Sequence, residues 1–305
     1  MKQNKRNTAW LEYIFFGNYF YGICAVALSV EATLQQRFPL NGWLYFLLVF
    51  TATVLYYNYP YTRKYAIPSN EIRTRWYARH YQLMRWNQII FTIILVVALF
   101  LFLYNYWDAV NAMQWQHWFF VFVFPAGAAL YYGVNSISGQ YNIRKIGLLK
   151  PFIIGFTWAG MVNVYPILFY DIIHYQPYEI TTQGILLFIK NLMFVAVLCI
   201  MFDIKDYATD YISRIRTFVV NMGLRKTIFY VLLPLSILGM TTFIYYGLVH
   251  NFQAMRIALN VIPFLLLIAV ALSMRRRRTI LYYLIVIDGL MLVKAICGTI
   301  AITWF

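Results

Sequence analysis

Charged residues are scarce in this sequence: they make up only 11% of its 305 residues, against about 25% in soluble domains. Hydrophobic residues make up 62%, and the mean hydropathy is +0.63. So little charge with so much apolar mass excludes a soluble globular protein. Because helices satisfy their own backbone hydrogen bonds in lipid, the composition predicts an all-α polytopic membrane protein, with residues 1–305 forming a single transmembrane domain.

Cysteines and acidic residues are also few. The three cysteines, Cys24, Cys199 and Cys297, all lie inside apolar runs, which excludes a disulfide framework and a zinc-binding spacing. The sequence has ten acidic and 25 basic residues, so the net charge is +15. In a soluble protein this excess would suggest nucleic acid. Here the distribution of the charges along the chain explains it better, and we expect no nucleic-acid partner.

Nine apolar segments are long enough to cross a bilayer, which takes about 20 residues as a helix. They cover residues 10–30, 40–57, 86–106, 118–134, 148–170, 185–201, 227–249, 257–274 and 279–302. In the fifth segment, Gly155 and Gly160 would let a neighbouring helix approach closely.

Basic residues fall almost entirely on one side of this topology. When the nine spans alternate in direction, every Lys and Arg lies on the side of the N-terminus except Arg37, Arg256, Lys190 and Lys294. Cytoplasmic loops carry such an excess. The pattern therefore predicts a multi-pass protein of the inner or cytoplasmic membrane, with its N-terminus cytoplasmic and its C-terminus on the opposite side. The same charges attract anionic membrane lipid.

Polar residues inside the predicted spans are candidates for function, since burying them in a membrane is costly. They are Asn18, Lys190, Asn191, Asp288 and Lys294. We predict that Asn18 and Asn191 line a cavity. The alternative for each of the five is a hydrogen bond between helices.

Three of the ten acidic residues lie in one short stretch directly after the sixth span. Asp203, Asp206 and Asp210 are spaced so that all three point the same way on a helix. Turned into water, they would belong to a solvated loop of mixed charge. Turned inward at the membrane surface, they would need a cation, and Mg²⁺ between carboxylates and a phosphorylated substrate is the usual one.

Two long loops fall on the cytoplasmic side, at about residues 58–85 and 203–226. The first is rich in cations and the second supplies the carboxylates, so together they predict a cap over a cavity that opens to the cytoplasm. Cations combined with carboxylates that hold Mg²⁺ suit a diphosphate. An apolar, aromatic cavity behind them suits a hydrocarbon chain.

The run Asp203-x-x-Asp206-x-x-x-Asp210, followed by Ile215-Arg216-Thr217-Phe218, resembles the second aspartate-rich motif of the UbiA superfamily of intramembrane prenyltransferases, roughly D-x-x-D-x-x-x-D-x-x-x-G-x-x-T-L. The family's nine helices, and its long cytoplasmic loops after helices two and six, match the predicted layout. The resemblance implies a UbiA-like bundle of nine transmembrane helices around a central cavity open to the cytoplasmic side.

The resemblance also implies an activity. It is the Mg²⁺-dependent transfer of a prenyl chain from an isoprenyl diphosphate to a lipophilic or aromatic acceptor within the membrane. In this sequence Asp203, Asp206 and Asp210 would be the metal ligands, and Asp206 and Asp210 the catalytic residues.

The sequence departs from the family pattern in two places. The first family motif, N-D-x-x-D-x-x-x-D, should begin at Asn58, but the Asn alone is kept in Asn58-Tyr59-Pro60-Tyr61-Thr62-Arg63-Lys64-Tyr65. Arg214 stands where the second motif usually has Gly. Because cations can replace a metal electrostatically at a phosphate, we predict Asn58, Arg63, Arg144 and Lys150 as diphosphate contacts. Lys150 could instead be only a positive-inside anchor.

Three other functions fit the same residues. A membrane terpene cyclase would use the same fold and need no acceptor. A non-catalytic isoprenoid-binding protein would account for the missing first motif. A transporter would have broken helices and buried charges at the membrane midplane, for which Lys190, Asp288 and Lys294 are candidates.

Overall fold

The fold is built from helices. The computed structural model of the chain describes residues 10–63, 72–133, 147–276 and 278–305, and these contain helices and no strand. The helices, numbered in chain order, are α1 Trp10–Phe16, α2 Tyr19–Gln35, α3 Trp43–Arg63, α4 Ile72–Arg79, α5 Tyr81–Asn105, α6 Trp107–Asn111, α7 Trp115–Gly133, α8 Lys150–Ile173, α9 Thr182–Ile212, α10 Phe218–Met222, α11 Leu224–Val249, α12 Ala254–Ser273 and α13 Ile280–Thr303.

Within the described residues, six helices are long and apolar enough to cross a membrane: α5, α8, α9, α11, α12 and α13. The helices α1 and α2 make a seventh span if this pair, bent by 62°, is counted as one. The chain is therefore a multi-pass membrane protein. The predicted spans at 40–57 and 118–134 coincide with α3 and α7, whose tyrosine, tryptophan and amide side chains lower their mean hydropathy below that of the six.

The two predicted cap loops are partly helical. In the first, α3 continues to Arg63 and α4 covers Ile72–Arg79. In the second, α9 continues to Ile212, so that all three aspartates of the motif are helical. Helix propagation adds one hydrogen bond for each residue that is fixed, and it therefore does not stop where the apolar run stops.

The chain divides into two compact units. Unit 1 comprises Met1–Val26 and Asn41–Ala112, and unit 2 comprises Ala27–Leu40 and Met113–Phe305. The helix α2 thus contributes its first part to unit 1 and its second part to unit 2.

Two glycines let helices of unit 2 pack closely, which confirms the prediction for Gly155 and Gly160. A Cβ atom on Gly155 would lie 2.7 Å from the carbonyl oxygen of Leu192 in α9. A Cβ atom on Gly160 would lie 2.0 Å from the ring of Phe124 in α7. Since neither distance is possible for real atoms, these glycines fix how closely α8 lies against α7 and against α9, the helix that carries the aspartates.

Three charged side chains lie buried together in unit 2. Oε2 of Glu31 in α2 accepts from Nζ of Lys294 in α13 at 2.6 Å, and Oε1 lies 3.5 Å from Nζ of Lys190 in α9. Gln35 donates to Glu31 at 3.0 Å and accepts from Lys190 at 3.0 Å. All four residues are at most 6% exposed. Lys190 and Lys294 therefore make bonds between helices, as the structural alternative predicted.

Replacing Glu31 by Gln should lower the free energy of unfolding by about 3 kcal/mol, because it leaves two buried ammonium groups without their carboxylate. The measurement is unfolding of the purified chain in mixed micelles. The matched control is Glu179→Gln at an exposed position, which should change stability by less than about 0.5 kcal/mol. Equal losses in the two variants would contradict the assignment.

Candidate active site

The three aspartates of the predicted metal site lie on one helix and differ in exposure. All belong to α9; Asp203 is completely buried and Asp210 is 7% exposed. Asp206 has a side chain that is 34% exposed, and its Oδ1 lies 3.0 Å from Nζ of Lys205. Asp203 and Asp210 are thus turned towards protein and not into water, which is the arrangement that requires a balancing cation.

Lys150 supplies the counter-charge for Asp203. Its Nζ donates to Oδ1 of Asp203 at 2.8 Å, while 20% of the lysine side chain stays exposed. Lys150 is also the first residue of α8, so Asp203 lies close to the helix end where backbone N–H groups carry partial positive charge. Two residues that the sequence predicts for the site, in segments far apart along the chain, are therefore in direct contact.

A glycine holds these two segments together. A Cβ atom on Gly147 would lie 2.7 Å from the backbone nitrogen of Thr217 and 2.8 Å from the carbonyl carbon of Arg216. Backbone atoms cannot move aside as the end of a flexible side chain can. Thr217 in turn caps α10, because its hydroxyl accepts from the N–H of Val220 at 3.4 Å. The start of α8 is thereby fixed against the chain that follows the aspartates.

The end of α9 explains the spacing of the last motif residues. The N–H of Ile215 donates to the carbonyl of Asp210 at 2.9 Å, and that of Arg214 donates to the carbonyl of Tyr211 at 3.2 Å. These are the two bonds of a Schellman cap, which needs a left-handed residue at the position of Arg214. Arg214 has a φ of 55°. Glycine adopts this conformation without steric cost, so the glycine of the family motif suits this position for a backbone reason.

The carboxylates suit a metal ion that is bound together with a phosphate. In the parts of the chain that the structure covers, no three His, Cys, Asp or Glu side chains lie close enough to hold an ion. Oδ2 of Asp203 is buried and has no hydrogen-bond partner among the described residues, which leaves one carboxylate oxygen for a cation. Mg²⁺ commonly binds through one or two carboxylates plus phosphate oxygens and water. The residues therefore fit Mg²⁺ held jointly by carboxylates and a diphosphate.

In unit 1, Asn58 belongs to a polar cluster at the break between α1 and α2. Asn18 lies at this break with a φ of 62°. Its Nδ2 donates to Oδ1 of Asn58 at 2.8 Å, and the hydroxyl of Tyr77 lies 2.6 Å from the same oxygen. Arg73 donates to Oδ1 of Asn18 and to the carbonyl of Phe16, at the end of α1 where carbonyls lack partners within the helix.

The buried hydroxyl of Tyr77 acts as a hydrogen-bond donor in this cluster. Burial raises the pKa of Tyr77 well above its usual range, so the hydroxyl keeps its proton and donates. The oxygen of Asn58 therefore accepts from Asn18, at the break between α1 and α2, and lies within hydrogen-bonding distance of Tyr77 in α4; Asn58 is only 2% exposed. In unit 1 this residue stabilises a helix break, and its predicted contact with diphosphate stays a prediction.

A comparison with solved structures identifies the fold. A structure described as a digeranylgeranylglyceryl phosphate synthase in membranes matches 100% of this chain and 100% of its own chain, with a TM-score of 0.58 and 13% sequence identity. This synthase is an intramembrane prenyltransferase of the UbiA superfamily. The chain therefore has a UbiA-like fold. No protein-family model matches the sequence, and no curated protein sequence matches it significantly.

Asn191, a predicted cavity residue, takes no part in the Asp203–Lys150 contact. Nδ2 of Asn191 in α9 donates to Oδ1 of Asn163 in α8 at 3.0 Å, and Asn191 is 3% exposed. It joins two helices, and its position in a cavity stays a prediction. Arg144 and the side chain of Arg63 lie outside the described residues.

Sequence reasoning missed Glu31 and Tyr77. Glu31 lies just beyond the predicted end of the first span, and an acidic residue followed one turn later by Gln35 is a signal that could have found it. Tyr77 gives no such signal, because it is one of 27 tyrosines, and only its contact with Asn58 distinguishes it.

Replacing Arg214 by Gly should raise the free energy of unfolding by about 0.5–1 kcal/mol, because it removes the steric cost of a left-handed side-chain-bearing residue. The matched control is Arg216→Gly, two residues along the same exposed loop, where φ is not left-handed. That variant should lose about 0.5–1 kcal/mol through the entropy of the unfolded chain. Unfolding in mixed micelles measures both, and a loss in both variants would contradict the cap.

Proposed function

We propose that this chain transfers a prenyl chain from an isoprenyl diphosphate to an acceptor within the membrane. The observation that carries the proposal is the contact of Lys150 with the buried Asp203, which unites a cation with a carboxylate of the second aspartate-rich motif in a UbiA-like fold. A prenyltransferase with the same fold supports the general reaction. The acceptor we expect is lipophilic or aromatic, since it must reach the reacting carbon in apolar surroundings.

The reaction requires positive charge at the diphosphate. Transfer breaks the bond between the first carbon of the prenyl chain and a diphosphate oxygen, and the electron pair leaves with that oxygen. The acceptor then attacks the allylic cation and loses a proton. Negative charge grows on the diphosphate during bond breaking, so groups that stabilise it act in the transition state. Lys150 is suited to this role because its partly exposed ammonium can exchange Asp203 for a phosphate oxygen.

The carboxylates would hold Mg²⁺ and so orient the donor. The residues we propose as ligands are Asp203, Asp206 and Asp210, and we propose Asp206 and Asp210 as the catalytic pair. When bound, Mg²⁺ supplies charge that neutralises the diphosphate. Asn58, Arg63 and Arg144 remain predicted further contacts of the diphosphate.

The topology we propose has nine spans around a central cavity open to the cytoplasmic side. The residues at 58–85 and 203–226 would then form a cap, and the chain would be one transmembrane domain. An odd number of spans puts the termini on opposite sides, and the basic residues favour a cytoplasmic N-terminus. The helices α3 and α7 at two of the nine predicted segments support this count.

Isoprenoid binding without turnover is the second candidate. It is favoured by Asn58, the one residue kept from the first motif, because its amide oxygen is engaged by Asn18 and Tyr77. A chain of this kind would still bind a lipid diphosphate at Lys150 and the aspartates. A terpene cyclase would differ by forming product from the diphosphate alone.

Replacing Asp206 or Asp210 by Asn should reduce diphosphate release by about 100-fold or more, because charge stabilisation in the transition state is lost. The assay incubates the purified chain with Mg²⁺, a polyprenyl diphosphate and candidate acceptors, and measures released pyrophosphate. Asp108→Asn on exposed α6 is the matched control and should retain full activity.

The proposal of prenyl transfer would be overturned if the unsubstituted chain released no pyrophosphate and neither substitution changed this result. Binding of the donor without release supports the non-catalytic candidate. Release without any acceptor present supports the cyclase.

Replacing Lys150 by Met should weaken donor binding and also leave Asp203 buried without its cation. Replacing it by Arg keeps the charge and should restore most of the affinity. Donor binding is measured by displacement of a labelled polyprenyl diphosphate, and loss of about tenfold or more is expected for Lys150→Met. The control Lys226→Met removes an exposed charge. A positive-inside anchor alone would give equal affinities for the Met and Arg variants.

A further inference from the structure

A cleft lies in unit 2, between the first half of α9, the second half of α11, the start of α12 and the end of α2. Apolar side chains form much of its wall, among them Leu186, Met193, Phe243 and Phe252. The cleft is not part of the aspartate site, because Asp203 lies about 20 Å further along the axis of α9 than Lys190, at 1.5 Å per residue.

The charged groups that line this cleft are cations. Among the residues that the structure describes, Lys190 and Arg256 contribute to the lining and no carboxylate does. Arg256 is half-buried, with its guanidinium carbon 3.8 Å from the centre of the Phe252 ring. In the described part of the chain, no carboxylate forms an ion pair with Arg256. The cleft therefore presents a positive group that the protein itself does not neutralise.

The buried cluster behind the wall is also positive overall. Glu31 is the one carboxylate that contacts Lys190 and Lys294 among the described residues, and it lies nearer to Lys294, at 2.6 Å against 3.5 Å for Lys190. One negative charge thus serves two positive ones in a region of low dielectric. A charge of this kind is stabilised when an anion approaches it. Arg256 and Lys190 together favour an anionic ligand at this end of the cleft.

The polar groups beside the two cations are amides. Gln35, Gln183 and Asn260 line the cleft. Nε2 of Gln35 donates to Oδ1 of Asn260 at 3.2 Å, and Nδ2 of Asn260 donates to the carbonyl of Arg256 at 3.0 Å, so these amides hold the start of α12 and the end of α2 in place beside the two cations. Part of the lining is apolar and reaches the protein surface, since Ile189 lines the cleft and is 43% exposed. In a membrane-spanning helix, an exposed isoleucine meets lipid chains. The cleft thus joins an anion-binding end to a wall open to the bilayer.

We propose that this cleft binds a membrane amphiphile that carries an anionic headgroup, a phosphate or a carboxylate, next to Arg256 and Lys190 and lays the start of its hydrocarbon chain along Leu186, Ile189 and Phe243. The guanidinium of Arg256 supplies the fork that matches two oxygens of either group. The ligand is distinct from the isoprenyl diphosphate of the proposed reaction, and the site does not depend on that reaction.

The test uses the full chain in a neutral detergent and measures bound lipid by native mass spectrometry. The probes are oleate, dioleoylphosphatidylglycerol and, as a zwitterionic reference, dioleoylphosphatidylcholine. Both anionic probes should bind more tightly than the reference. Tighter retention of oleate identifies a carboxylate as the preferred group, and tighter retention of the phosphatidylglycerol identifies a phosphate.

Arg256→Gln should weaken binding of the anionic probe by about tenfold, because it removes a charge-assisted contact. Arg225→Gln is the matched control, since Arg225 is exposed, belongs to unit 2 and does not line the cleft; it should leave binding unchanged. Leu186→Trp fills the cleft without a change of charge and should also abolish binding, which keeps the test decisive if Arg256→Gln does not fold.

Equal losses in Arg256→Gln and Arg225→Gln would show that diffuse surface charge attracts the lipid and would overturn the proposal. Undiminished binding in Leu186→Trp, or equal affinity for the anionic and zwitterionic probes, would overturn it as well. Pyrophosphate release by Arg256→Gln reports separately on the proposed reaction, so failure of one proposal does not imply failure of the other.

Discussion

A carboxylate that stays ionised when it is removed from water needs a cation, because the cost of burying an ion is several kcal/mol. In this chain two buried carboxylates meet the requirement in the same way. Asp203 accepts from Lys150, and Glu31 contacts Lys190 and Lys294. In each case the partners come from different helices, so the ion pairs determine which helix faces meet. With 10 acidic residues in the whole chain, each such pair is a strong constraint on the packing.

The same need for a cation applies to the proposed active site. The resembled family has two aspartate-rich motifs, and here the aspartates of the first motif are replaced while its Asn is kept as Asn58. A lysine beside Asp203 supplies positive charge at the point where a diphosphate would bind. A site with fewer carboxylates holds fewer metal ions, and a side chain such as lysine can supply the positive charge instead. The pair also explains how Asp203 can be buried in the absence of ligand.

Two positions of the family motifs have roles in the backbone structure of this chain. Arg214 takes the left-handed conformation of a Schellman cap, for which glycine is the easiest residue. Asn58 is engaged at the break between α1 and α2, where Asn18 also has a positive φ. At both positions a residue of a family motif stabilises the backbone conformation. Substitutions can test this role separately from a role in function.

The sequence by itself determined the class of the protein and the location of its elements. Low charge and long apolar runs predicted a helical membrane protein, and a helix is found at each predicted segment because apolar periodicity and length are local properties. The aspartate spacing predicted that the three carboxylates share one face of a helix, and the structure decided that Asp203 and Asp210 are buried. Tertiary structure alone decided the partners: Lys150 for Asp203, Glu31 for two lysines, Tyr77 for Asn58. These contacts join residues from different helices, and the pairing of distant residues depends on how helices pack, which no local pattern encodes.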